Sequence, residues 1–166
     1  MTAVQAVTVL LEDDLITFTR AVGLVRRRNL PVRSIAVGPT ATPGISRLTI
    51  MVNSDEATAE RAVQHLEKVV GVREAATFTA RDGVAREVAL IRIRAHPDRN
   101  GELLDVVQLY HATVLDDSAD TIIVELTGSE AFVLSCIRAL ESFEILEIAR
   151  SGAIAMTTTT TETAHV

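Results

Sequence analysis

Val7-Thr-Val-Leu-Leu-Glu-Asp-Asp14 decides the fold. Ala6–Leu11 is apolar and β-branched and reads as a buried strand. The chain then turns acidic, and Leu15, Phe18, Ala21, Val22 and Val25 follow at helical spacing. Leu15–Arg28 is therefore expected as an amphipathic helix, with Asp13 and Asp14 at its dipole-positive start. Asn29 tolerates the left-handed conformation that ends a helix, and Pro31 cannot continue one. Val32–Val37 and Arg47–Val52 read as strands around the turn Gly38–Gly44. Ser54 is the expected cap of a second helix whose buried stripe is Ala59, Ala62, Val63, Leu66 and Val70. Val72–Thr79 completes the order βαββαβ.

The second half repeats this order without repeating the residues. Arg86–Ala95 alternates Ile91 and Ile93 with Arg92 and Arg94, a one-sided strand. Leu103, Val106, Val107 and Tyr110 mark a helix. Ala112–Leu115 and Thr121–Leu126 are strands around the acidic turn Asp116-Asp117-Ser118. Ser129 caps a helix with Val133, Cys136, Ile137 and Leu140 inside, and Ile145–Met156 closes the set. Each half has about 75–80 residues, the size of a ferredoxin-like unit. The expected class is α+β, with two ferredoxin-like βαββαβ domains. Their expected bounds are 1–80 and 86–156, joined by a linker at 81–85 and followed by a disordered Thr-rich tail at 157–166. Small sheets of this kind leave unpaired edges, so a homo-oligomer is expected.

Composition narrows the function. Of the 166 residues, 48% are apolar and 3% aromatic, so the core is built from Val, Ile, Leu and Ala. No apolar run approaches the ~18–20 residues that span a bilayer, and no charged segment precedes an apolar one at the N-terminus. One cysteine, Cys136, excludes an internal disulfide. A cytoplasmic protein is the expectation. Residues 1–83 carry net charge +1 and residues 84–166 carry −7. That split, with few aromatics, argues against nucleic acid. The basic run Arg26-Arg27-Arg28 either complements the helix dipole or meets a partner. Arg supplies every basic residue except Lys68, which fits a GC-rich genome or a warm habitat.

Catalytic chemistry finds few candidates. His65, His96, His111 and His165 have no His or Cys at helical or hairpin spacing. Cys136 lies on a helical stripe without a visible base, and no phosphate-binding glycine loop or Gly-x-Ser-x-Gly occurs. Asp13-Asp14 reads either as a helix start or as a paired-carboxylate acid/base site.

Four segments in order carry a resemblance: Val7–Asp14; Gly38-Pro-Thr-Ala-Thr-Pro-Gly-Ile-Ser-Arg-Leu-Thr-Ile50; Arg86-Glu-Val-Ala-Leu-Ile-Arg-Ile-Arg-Ala95; and Ile148-Ala-Arg-Ser-Gly-Ala-Ile154. From about Val4 to Met156 the chain resembles the regulatory (small) subunits of acetolactate synthase. The resemblance implies an N-terminal ACT domain that dimerises edge to edge and a C-terminal domain of related topology. It implies a non-catalytic subunit that activates a large catalytic subunit in branched-chain amino acid biosynthesis. Thiamine diphosphate, magnesium and FAD would belong to that large subunit, and no cofactor to this chain. It also implies an amino-acid effector, valine, in the loop between the first strand and first helix. The family pattern there is Leu-Glu-Asn-x-x-Gly-x-Leu-x-Arg. Here Leu11, Glu12 and Arg20 match, Asp13 stands for Asn, and Ile16 stands for Gly. A third family position, an Asn opening the second strand of the partner subunit, is Pro31.

The expected effector residues are thus Asp13, Asp14, Leu15, Ile16, Thr17, Pro31 and Val32. Asp13 adds a charge that repels an effector carboxylate, Ile16 obstructs close approach, and Pro31 lacks both an N–H and a side-chain amide. Weakened valine feedback is expected; the alternative is that Asp13 holds the ammonium group of a different amino acid. Arg47 and Arg150 are candidate contacts to the catalytic subunit, and Arg47 alternatively forms a surface salt bridge. The competing function is a free-standing ACT amino-acid sensor acting on another enzyme. A small enzyme of ferredoxin-like fold would need a His, Cys or acid cluster.

Overall fold

A computed structural model describes residues 3–118 and 120–158. Its elements are β1 (Ala3–Glu12), α1 (Leu15–Arg27), β2 (Val32–Pro39), β3 (Ile45–Ser54), α2 (Glu56–Leu66) and β4 (Val72–Thr79). There follow β5 (Gly83–Arg94), a 3-10 turn at Pro97–Arg99, α3 (Asn100–Leu109), β6 (Thr113–Asp117), β7 (Thr121–Gly128), α4 (Glu130–Leu140), β8 (Ile145–Arg150) and β9 (Ile154–Thr157). The chain forms two units, one up to Ala85 and again from Ala153, the other Arg86–Gly152.

In the first unit β2-β3-β1-β4 form an antiparallel sheet. Val7 lies opposite Ile50 and Val9 opposite Leu48, so one face is continuously aliphatic. Ala21 and Val25 of α1 and Ala59 and Leu66 of α2 close over it, with Leu11 and Val52 in the same cluster. Asp14 caps α1, Arg26 and Arg27 occupy its last turn, and Asn29 takes φ 51° beyond its end. On the other face Ala6, Phe78 and Ala155 are buried together, against Met51 and Ala85. β9 pairs with β5, and Gly83 is obligatory because a Cβ there would lie 2.3 Å from the Phe78 ring.

The second unit has the same plan. Its strands run β6-β7-β5-β8, all antiparallel. Ala89, Ile91 and Ile93 meet Leu126, Val124 and Ile122 beneath Leu103, Val107, Val133, Cys136 and Leu140. Desolvation pushes the Cys136 thiol pKa up.

Four local expectations differ from the structure. Asp55, not Ser54, caps α2, because its Oδ1 accepts from Thr58 N at 2.8 Å while Ser54 is still in β3. Val70 is 76% exposed, since α2 ends at Leu66 and takes Val70 off its stripe. Asp116 and Asp117 belong to β6, and the turn begins at Ser118, whose N–H bonds Thr121 O. Ile145–Met156 is two strands, broken where Gly152 takes φ 73°. Of the Thr-rich tail, Thr157 ends β9 and the Thr158 N–H bonds Asp82 O; His165 and the tail from 159 lie outside the described residues. Among the described residues no helix is long and apolar enough to cross a membrane.

Candidate functional site

The end of β1 and the start of α1 form one knot of hydrogen bonds. Glu12 N donates to Gly71 O (2.8 Å) and Asp13 N to Gly44 O (2.9 Å). The loops after α2 and before β3 are thereby tied to the loop that opens α1. The two aspartates then do different work. Asp14 stays exposed and folds back onto its own helix, where its Oδ1 accepts from Thr17 N at 2.8 Å. Hydrogen bonding by the Thr17 side chain first, and then by its backbone, holds the Asp14 carboxyl below the usual carboxylate range. Asp13 turns toward β3, and its Oδ1 accepts from Ser46 Oγ at 2.8 Å. The helix N-terminus is therefore capped by the chain's own carboxylate, where it could otherwise have met an anion.

Three residues that the sequence did not single out hold this knot. Gly71 has φ +92°, and a Cβ there would sit 2.4 Å from Oγ1 of the buried Thr17. Arg73 Nη2 lies 2.6 Å from Glu12 Oε1. Ser46 is buried against Asp13. A glycine between Val70 and Val72 was a visible signal for a tight turn; nothing in the sequence distinguished Ser46 from the other serines.

Leu15 and Ile16 point away from the knot and are 74% and 62% exposed. Pro31 and Val32 are elsewhere. Pro31 O accepts from Asn53 N (3.0 Å), and Val32 is in register with Val52. The start of α1 lies instead at the Ser46 end of β3, where Ser46 faces Pro39. One protomer thus brings Asp13, Asp14, Leu15, Ile16 and Thr17 together and leaves Pro31 and Val32 at the opposite end of a helix about 20 Å long.

β2 is an edge strand. From Ser34 to Gly38 it carries no charge, and Val32, Ile35 and Val37 are exposed on its helix-side face, in line with Val52, Ile50 and Leu48. At the other ends of the two strand paths, charges of the kind that discourage pairing stand on the strand: Arg73 and Glu74 on β4, Glu147 and Arg150 on β8, and Asp116 and Asp117 after a bulge on β6; the short β9, off these paths, is uncharged.

Arg47 lies on the helix-free face of the first sheet, between Leu10 and Gly38, and has no ion pair among the described residues. Arg150 is engaged within the second unit. Its Nε lies 3.1 Å from Glu87 Oε1, its Nη2 bonds the same oxygen, and Glu130 is 3.8 Å away. The Glu87 side chain is 3% exposed. Among the described residues no group of three or more His, Cys, Asp or Glu is placed to hold a metal.

Comparison with known proteins places similarity along nearly the whole chain. A family model described as the AHAS small subunit-like ACT domain matches residues 17–74, and one described as the small subunit of acetolactate synthase matches 86–159. The chain is 34% identical over 152 residues to the probable acetolactate synthase small subunit of Archaeoglobus fulgidus, covering 92% of this chain and 95% of that one. It is 32% identical over 152 residues to the acetolactate synthase small subunit of Mycobacterium leprae, covering 92% and 90%. The crystal structure of the small subunit from Thermotoga maritima superposes with a TM-score of 0.86 at 32% identity, covering 93% and 97%.

Proposed function

The chain belongs to the acetolactate synthase small-subunit family, and from that premise we propose that it is a non-catalytic regulatory subunit. It binds and activates a thiamine-diphosphate-dependent catalytic subunit that joins two pyruvates into 2-acetolactate, in cytoplasmic branched-chain amino acid biosynthesis. Thiamine diphosphate, magnesium and FAD reside in that subunit. The observation that carries this reading is a match to small subunits that runs through both halves of the chain. Docking shifts the catalytic subunit's population toward its active arrangement, and an effector moves that equilibrium only through different affinity for the two states.

In this reading the first unit is the dimerising ACT domain and the second a C-terminal domain; the expected bounds 1–80 and 86–156 shift because residues 83–85 of the expected linker open β5 and the chain from Ala153 returns to the first unit. The dimer forms through β2, the edge without charges from Ser34 to Gly38. Arg47, with no ion pair among the described residues, and the exposed part of Arg150 face the catalytic subunit. Valine feedback is weak. Asp14 already occupies the helix N-terminus and Asp13 is bonded to Ser46. Ile16 stands where the family's glycine admits a ligand, and Pro31 offers no amide.

The test is acetolactate formation by the matching catalytic subunit, with and without this chain, across a valine titration. Stimulation that valine leaves intact is expected. Stimulation abolished by valine refutes the reading of Asp13, Ile16 and Pro31 while keeping the subunit role. Absence of stimulation favours the free-standing sensor.

A further inference from the structure

The bare apolar residues around the site form two sets that a single protomer cannot join. Leu15 and Ile16 stand on the first turn of α1, and Pro31 and Val32 lie beyond its far end. The sheet supplies a way to join them across two copies. Pro39 ends β2 opposite Ser46, which is bonded to Asp13, so β2 finishes where α1 starts. Val32 begins β2 opposite Val52, at the other end of the sheet. Antiparallel pairing of β2 with its own copy, about a two-fold axis normal to the sheet, keeps the helices of both copies on one face. With the axis at Ala36, Ile35 meets the partner's Val37 on the shared helix-side face, and the bulged start of the partner's β2 at Val32 arrives beside Pro39, at the α1 start. The charges agree with this arrangement. The same rotation brings the partner's Arg26, Arg27 and Arg28, exposed at the end of α1, toward the acidic Glu12-Asp13-Asp14 end.

We propose that Leu15 and Ile16 of each protomer make an apolar contact with the partner's Pro31 and Val32. The contact is made twice by symmetry, and it closes each α1-start site with the chain's own side chains. This rests on the β2-edge dimer proposed above and adds that the site is filled from within, so dimer cohesion needs no ligand. The two aspartates permit it: Asp14 is folded into its own helix cap, and Asp13 is bonded to Ser46. Ile16 is then a clamp between protomers.

The test uses the full chain. Ile16→Cys combined with Pro31→Cys is treated with a short bismaleimide, each single variant serving as control; within one protomer about 20 Å of helix separates the two thiols. Cys136 is 1% exposed, and the controls report any reaction there. Sedimentation equilibrium of Ile16→Ala and Ile35→Lys measures the dimer, with circular dichroism and melting temperature verifying the fold of every variant. A covalent dimer is expected from the double-cysteine variant well above either control. Ile16→Ala is expected to raise the dimer dissociation constant about tenfold or more, since an aliphatic contact is lost twice. If Ile35→Lys gives a folded monomer while the double-cysteine variant links no better than the controls and Ile16→Ala dimerises normally, the clamp is wrong and the β2-edge dimer stands. If folded Ile35→Lys remains dimeric, the edge reading fails and takes the clamp with it.

Discussion

Replacing Arg150 with Ala tests whether this arginine belongs to the second unit or to a partner. Glu87 lies on the helix side of β5 with its side chain 3% exposed, and Arg150 reaches it through both Nε and Nη2. Removing one member of a buried pair strands the other charge, at a typical cost of about 3–5 kcal/mol. The Arg150 side chain is 31% exposed, so water enters the vacated space and the lower end applies, about 3 kcal/mol. For a unit of this size that corresponds to a fall of roughly 12–24 °C in its melting temperature. Arg92 and Glu147 on the same sheet are the control, because both side chains are largely in solvent (46% and 61% exposed) and Arg92→Ala should cost under about 1 kcal/mol. Glu87→Leu with Arg150→Met removes both charges at similar volume and should recover most of the loss. The assay is thermal and urea unfolding of the isolated chain, with hydrogen exchange over β5 and β8 locating the damage. If Arg150→Ala is no worse than Arg92→Ala, Glu87 does not depend on Arg150, and the guanidinium is free to serve a partner.

Three other outcomes follow from the site. Gly71→Ala puts a methyl 2.4 Å from Thr17 Oγ1 on a residue with φ +92°, and should destabilise the chain by about 1–3 kcal/mol in urea unfolding. Ser46→Ala removes the hydroxyl that Asp13 accepts from; the loss should be about 0.5–1.5 kcal/mol and should vanish in an Asp13→Ala background. Asp14 has a depressed folded pKa, so its contribution is fully present above the unfolded value near ~3.9 and is lost as pH falls through the folded value. Asp14→Asn should flatten that acid limb of the stability–pH curve, and an unchanged limb would show that the cap is not ionised.

The fold was legible because its signals are local and periodic. Val7, Val9 and Leu11 alternate along β1, the aliphatic stripe of α1 recurs at helical spacing, and Asn29 and Pro31 end that helix. The failures are where several local options were open. Ser54 and Asp55 are both good caps, and only the length of β3 chose between them. Val70 continues a helical period past the residue at which the helix stops. Ile145–Met156 looks uniform, and its break at Gly152 coincides with the passage of the chain between units.

The candidate site divides the same way. The sequence by itself determined which residues open α1, that Asp13 is charged, that Ile16 is bulky and that Pro31 offers no donor, since these are properties of single side chains; that the first two stand for Asn and Gly is what the family resemblance implies. Only the tertiary structure decided what each carboxylate is bonded to: Asp14 to its own helix and Asp13 to a serine 33 positions away. Only it placed Gly71 against Thr17, paired Arg150 with a buried Glu87, and left β2 as the edge whose Ser34–Gly38 stretch is uncharged. The physical reason is that conformational preference and periodicity are written over a few neighbouring residues. A hydrogen-bond partner, a steric limit or a free strand edge depends on which distant segments the sheet register brings side by side.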